Sequence, residues 1–220
     1  MEPTRFGPLP GDDVIDHAGA SCPPERALII VATAESAEQA LTDATMRCPR
    51  DGCAGTLTRW GYGQRRRIRA LEAGAIDVRP RRARCGGCGA TQILLPAALQ
   101  PRRADTTEVI GTALARNAAG LGYRRIAAAL GRSPSTVRRW CRRARGRGHL
   151  NWLWQRGAQE LIRLDADAFN QLATTGNLLR DALNILAAAA WCTRQRLGIA
   201  EPPWSLIGLY TRGRLLAPPG

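Results

Sequence analysis

Between Tyr123 and Arg145 the chain reads YRRIAAALGRSPSTVRRWCRRAR, a pattern that leaves the backbone little choice. Ile126, Ala127 and Leu130 recur at helical spacing and share one face of a first helix. Gly131 ends that helix, because a residue without a Cβ enters the left-handed conformation that a sharp reversal needs. Ser133 then offers a side-chain oxygen to orphan amides. Pro134 stands at the first helical position, where its missing N–H costs nothing. Val137 and Trp140 form the apolar edge of a second helix, and Ser135, Thr136, Arg138, Arg139, Arg142 and Arg143 are left to face outward. Two helices joined by a short glycine turn, the second rich in donors, predict a helix-turn-helix whose second helix enters a DNA major groove.

The residues before this stretch complete a unit. Asp105-Thr-Thr-Glu108 reads as a capping box with Asp105 at the cap. The helix it opens has Val109, Ile110, Ala113, Leu114 and Ala118 as its core face and Gly120 as its stop. Three helices over 105–147 follow. On the second helix of the motif, Ser133, Ser135 and Thr136 stand at the N-terminus, where hydroxyls and amides meet phosphates or base edges. Arg138, Arg139 and Arg142 are placed for bidentate contact with guanine, and Arg143, Arg145 and Arg147 for the backbone.

Cysteines supply the second constraint. Cys48-Pro-Arg-Asp-Gly-Cys53 and Cys85-Gly-Gly-Cys88 are two tight turns, each able to present two thiolates to one side of an ion. Four soft ligands at close quarters predict one structural Zn2+ per chain, closed to substrate water. Such an ion can supply on the order of 10 kcal/mol of folding energy to a module with little core of its own. The runs TLTRW, RRRIRAL and VRPRRARC between the knuckles are short enough to be ribbon strands. Disulfides are the competing reading, disfavoured if the chain stays in a reducing compartment. Cys22 falls in the N-terminal tail, whereas Cys141 and Cys192 sit beside tryptophans on helices, as small buried thiols do. His17 and His149 have no ligand partner at useful spacing.

Charge supports a polyanion partner. The net charge is +14, and all 32 basic residues are arginine, which a GC-rich coding bias alone could produce. Such a bias would not sort the charge along the chain, yet residues 47–147 carry 23 Arg against 5 acids. Residues 1–46 are net −6 and residues 148–220 only +2. The middle of the chain is an electrostatic footprint for nucleic acid. Arg65, Arg66, Arg67 and Arg69 on one ribbon strand, with Arg79, Arg81, Arg82 and Arg84 on another, form a phosphate-attracting face. The acidic first twenty residues lack an apolar run, and Ala182–Cys192 is too short to cross a bilayer, so a soluble, cytoplasmic, nucleoid-associated protein is expected.

The expected fold is mainly α with a small β zinc ribbon. Residues 1–25 form a disordered tail, 26–100 the ribbon domain, 101–147 the helix-turn-helix domain, and 148–220 a C-terminal helical segment. Ala27–Ala32 reads as a short buried strand and Ser36–Ala44 as a short helix. Trp152–Leu164 and Asn177–Leu197 read as longer helices, the second capped by Asn177 and stopped by Gly198. That second helix is apolar on several sides, so it either closes a C-terminal bundle or pairs with a second copy as a homodimer. The closing stretch from Pro202 to Leu216 could pack back onto it.

RRARCGGCGATQILLP followed by a helix-turn-helix resembles the N-terminal region of bacterial insertion-sequence transposases, where a zinc ribbon precedes DNA-binding helices. The run from CPRDGC and RWGYGQRRRIR through YRRIAAALGRSPSTVRRW, with the ending WSLIGLYTRGRLLAP, looks like an actinobacterial family of transposase-like zinc-ribbon/helix-turn-helix proteins of unknown function. The resemblance implies zinc on Cys48, Cys53, Cys85 and Cys88, and DNA contact through Ser133–Arg143.

Function then divides three ways. A transposase needs three carboxylates holding two metal ions on an RNase-H-like sheet. After the helix-turn-helix only Glu160, Asp165, Asp167, Asp181 and Glu201 remain, in a segment too short for that fold. The expectation is therefore no catalysis and no small-molecule substrate, but a double-stranded DNA binder of transposase descent or a transcriptional regulator. A targeting subunit or remnant acting with a separate catalytic chain is the second reading. A zinc-ribbon RNA binder is the third, disfavoured by the helix-turn-helix and by the expected lack of a stacking-aromatic sheet.

Overall fold

The computed structural model describes residues 27–217 apart from Ala73, so the expected tail over 1–25, with Cys22 and His17, lies outside the described residues. Strand β1 (Ala27–Val31) runs parallel to β6 (Thr91–Pro96). β6 pairs antiparallel with β5 (Arg81–Cys85), and β5 with β2 (Leu57–Tyr62), giving the order β1-β6-β5-β2. Helix α1 (Ala34–Thr42) lies on one face of this sheet and buries Ala37 and Leu41 against Leu57, Ala83, Cys85 and Leu94. It begins two residues before the expected Ser36 because Thr33 takes the cap, its hydroxyl accepting from the Ser36 amide.

The first arginine run departs from expectation. Arg66–Arg69 form β3, which pairs with β4 (Ala75–Val78) in a separate two-stranded hairpin instead of joining the ribbon sheet. Ile68 faces inward against Leu95 and Leu99, in a small cluster distinct from the one beneath α1. Arg65 and Arg79 fall just outside the strands.

Helices α2 (Thr107–Ala118), α3 (Tyr123–Leu130) and α4 (Pro134–Arg143) make the three-helix unit. Val109, Ile110, Ala113, Leu114, Ile126, Val137 and Trp140 are buried together, while Leu130 is only partly buried at the edge. Gly131 adopts φ 60°, ψ 39°, the left-handed cap that the sharp reversal requires. Asp105 does not cap α2. Thr106 does, its hydroxyl accepting from the Val109 amide, and Asp105 is turned inward to bind two arginines.

Helix α5 (Arg147–Leu164) starts five residues earlier than Trp152. Gly146 is the residue at its N-cap, and its carbonyl accepts from the Leu150 amide. After the short α6 (Ala166–Asn170), α7 (Leu178–Leu197) is capped by Asn177 and stopped by Gly198 at φ 60°. Apart from Leu178, Trp191 and Leu197, which are exposed, its large apolar side chains are covered within the chain by α5, α2 and α8 (Pro203–Tyr210). Of the two expected arrangements it takes the bundle. Leu215 and Leu216 are buried in the same core. Trp204 of α8 packs directly on Gly111 of α2, where any Cβ would fall inside van der Waals contact with the indole. No helix among the described residues is long and apolar enough to cross a membrane.

Candidate metal centre and nucleic-acid interface

Hydrogen bonding between the two knuckles explains how distant cysteines meet. The first knuckle leads into β2 and the second leaves β5, and these strands pair with Leu57 opposite Cys85. The Cys48 amide donates to the Gly55 carbonyl at 2.9 Å, Leu57 to Met46 at 2.8 Å, and Gly86 to Thr56 at 3.0 Å. The four Sγ atoms of Cys48, Cys53, Cys85 and Cys88 consequently lie within 4.8 Å of one another. Cys48 and Cys88 sulfurs are 3.8 Å apart, and those of Cys53 and Cys85 3.6 Å apart. A tetrahedron with metal–sulfur bonds of about 2.3 Å has edges of about 3.8 Å, which the Cys48–Cys88 and Cys53–Cys85 pairs match closely. Four free cysteines at that spacing could hold a metal; no disulfide joins them.

The backbone prepares this centre. Amides of Gly87 and Cys88 donate to Cys85 Sγ at 3.3 and 3.5 Å. Gly55 must lack a side chain, because a Cβ there would overlap Cys85 Sγ and the Gly87 amide. The Cys88 amide, and then that of Gly87, hold the Cys85 thiol down at about 6 against the opposing effect of burial. The Cys48 thiol is pushed up to about 12: the Arg50 amide pulls it down, but burial and hydrogen bonds with Cys88, Cys85 and Cys53 outweigh that pull. The Gly55 amide pulls the Cys53 thiol down, but hydrogen bonds with Cys85 and Cys88, together with burial, raise it. A bound metal would displace the protons of Cys48 and Cys53, whose thiols are raised, more than that of Cys85, which is lowered.

The other candidates divide as their burial dictates. Cys141 and Cys192 are buried, with burial raising both thiols, and neither has a metal-ligand partner among the described residues. His149 stacks on Trp152 with ring centroids 5.7 Å apart, and its Nε2 lies 3.4 Å from the Leu215 carbonyl. Burial pushes its pKa down, against the Leu215 contact. This is a packed side chain.

On α4 the two faces separate cleanly. Val137, Trp140 and Cys141 are buried, whereas Ser135, Arg138, Arg139 and Arg142 are exposed. Arg143 and Thr136 are half-buried. Ser133 Oγ accepts from the Thr136 amide at 3.3 Å and lies 2.9 Å from Thr136 Oγ1, so both hydroxyls serve the helix start. Ser135, whose hydroxyl lies 3.2 Å from that of Ser133, and the three exposed arginines face outward, Arg138 over the Tyr123 ring, with Arg145 and Arg147 exposed beyond them.

Two features escaped the reading of the sequence. Asp105, 3% exposed, accepts from Arg132 Nε at 2.6 Å and from Arg69 Nη2 at 2.7 Å. Arg132 also donates to the carbonyls of Ala70 and Leu130. This cluster bolts the end of the β3–β4 hairpin to the turn just before α4, and an acid–arginine triad spread over 69, 105 and 132 has no local signature. The second feature reverses an expectation, since the ribbon sheet does carry exposed aromatics. Trp60 and Tyr62 on β2 are 49% and 47% exposed, and arginines lie over both rings. The alternation RWGYGQRRRIR is the signal that could have found them.

A family model described as a homeodomain-like domain matches residues 108–150, from the first turn of α2 into the start of α5. No curated protein matches the chain, and no solved structure does.

Proposed function

We propose that the chain is a non-catalytic, sequence-reading protein of double-stranded DNA, in which α4 enters the major groove and a zinc-bound ribbon grips the flanking backbone. The observation that carries this reading is the division of α4, with a buried Val137/Trp140 edge and an exposed Ser135–Arg138–Arg139–Arg142 face. The homeodomain-like match over the same helices supports it, since such units place their last helix in the groove. The four-cysteine site takes zinc as a structural ion, because four thiolates leave no open position for a reacting water.

The carboxylates favour a role without chemistry, because three of the five in the C-terminal segment are engaged separately. Among the described residues, the four cysteines are the group placed to hold a metal. Asp165 pairs with Arg196, Glu160 with Arg163, and Asp181 accepts from Thr175. The chain would then serve as a transcriptional regulator or as the targeting part of a transposition system whose catalysis lies elsewhere. Fluorescence anisotropy with random and selected duplexes tests the reading. Affinity should fall steeply as salt rises, and Arg139→Ala with Arg142→Ala should cost at least about tenfold. Duplex affinity unchanged by that pair would refute the assignment of α4.

A further inference from the structure

We infer that the outer edge of the ribbon is a binding site for single-stranded DNA, with Trp60 and Tyr62 as stacking platforms. This rests on the chain being a DNA-binding protein but concerns a different surface from α4.

The strand order leaves β2 at the edge of its sheet. Of its six residues only Leu57 is buried. Trp60 and Tyr62 belong to none of the three apolar clusters, so neither ring is there to fill a core. Each instead carries guanidinium groups: Arg84 lies 4.6 Å from the Trp60 ring centre, and Arg81 and Arg79 lie 4.1 and 5.4 Å from that of Tyr62. Glu38 on α1 holds Arg81, and Arg84 Nε reaches the Gly89 carbonyl at 3.3 Å, so the cations are positioned by the fold. Between the two rings the register with β5 breaks, and Gly61 takes φ 88°, which sets the rings apart on a local bulge.

Charge and shape together select the ligand. Residues 59–84 carry nine arginines against Glu72 and Asp77, so the surroundings attract a polyanion. Phosphates alone need no aromatic rings, and a duplex keeps the faces of its bases inside the stack. An unpaired strand offers both a charged backbone and open base faces, and a ring already backed by a guanidinium stacks on such a face. DNA is the commitment here because α4 is the neighbouring reader on the same chain.

The test uses the full-length, zinc-loaded protein with an oligothymidine of about twelve nucleotides, the same length of oligouridine, and a blunt duplex. Wild type should bind oligothymidine, Trp60→Ala should weaken that binding about tenfold, and Trp60→Phe should recover most of it. Trp60→Ala leaves every arginine of the ribbon in place, so its duplex affinity should fall far less than its oligothymidine affinity. Photocrosslinking of wild type to a strand containing 5-iodouracil, mapped by mass spectrometry, should label Trp60 or Tyr62. Equal losses on single strand and duplex, tighter binding of oligouridine, or crosslinks confined to α4 would each overturn the proposal. Loss of duplex binding in the Arg139/Arg142 double variant with oligothymidine binding intact would separate this site from the α4 reading.

Discussion

Removing the carboxylate of Asp105 is the most informative perturbation of stability that the structure offers. Asp105 and Arg132 have 3% and 7% side-chain exposure, so neither can be resolvated in place. Arg69, at 48%, can. Asp105→Ala therefore leaves one buried guanidinium without its counter-charge. Breaking such a pair from one side costs about 3–5 kcal/mol. Arg132 keeps its carbonyl acceptors on Leu130 and Ala70, which argues for the lower end. The lost Arg69 contact is worth under about 1 kcal/mol, since its partner returns to water. The expected total is about 3 kcal/mol. With a urea slope of about 2 kcal/mol per molar, the midpoint should fall by about 1.5 M. Tryptophan fluorescence in zinc-containing buffer reads that midpoint, and replacing Asp105 and Arg132 together by leucines should restore most of it. A midpoint shift below about 0.3 M for Asp105→Ala, or a double variant no better than the single, would refute the reasoning.

Three further outcomes are expected. Elemental analysis should find about one zinc per chain, and chelator competition should show affinity rising with pH. The sign follows from the thiols: Cys48 and Cys53 are raised and must shed protons to bind, whereas Cys85 at about 6 competes with protons only in mild acid. An affinity independent of pH would contradict it. Gly55→Ala should lower zinc affinity, measured in the same competition, because a Cβ overlaps Cys85 Sγ. Ser133→Ala should cost about 1 kcal/mol by removing the α4 cap, seen as a melting point lower by about 3 °C.

What the sequence discloses follows how local each determinant is. Gly131, Ser133, Pro134 and the Val137/Trp140 edge act within a few residues of themselves, so the α3–α4 turn is readable directly from the chain. The cysteine pairs are nearly as plain, because tetrahedral thiolate chemistry tolerates few other arrangements. Asp105 misleads because Asp105 and Thr106 are both good caps by local rules, and only Arg132 and Arg69, distant in sequence, decide between them. The early start of α5 escapes notice for a related reason. Gly146 and Gly148 look like breakers, yet Leu150 and Leu153 are drawn into the bundle core and carry the helix back through Gly148 to a cap at Gly146. The β3–β4 hairpin looks like part of the ribbon because strand partners are not written in composition.

The contact between Trp204 and Gly111 bears on how the helix-turn-helix unit could be borrowed. A fragment cut to residues 108–150, or ended near residue 147, would expose the face of α2 that Trp204 occupies, a bare patch where a neighbouring side chain has been left out to admit an indole. A transplanted three-helix fragment would carry that open slot into solvent. The motif is thus legible as a module but is built as a part, and grafting it elsewhere means bringing α8 along or filling the vacancy with a larger residue at 111.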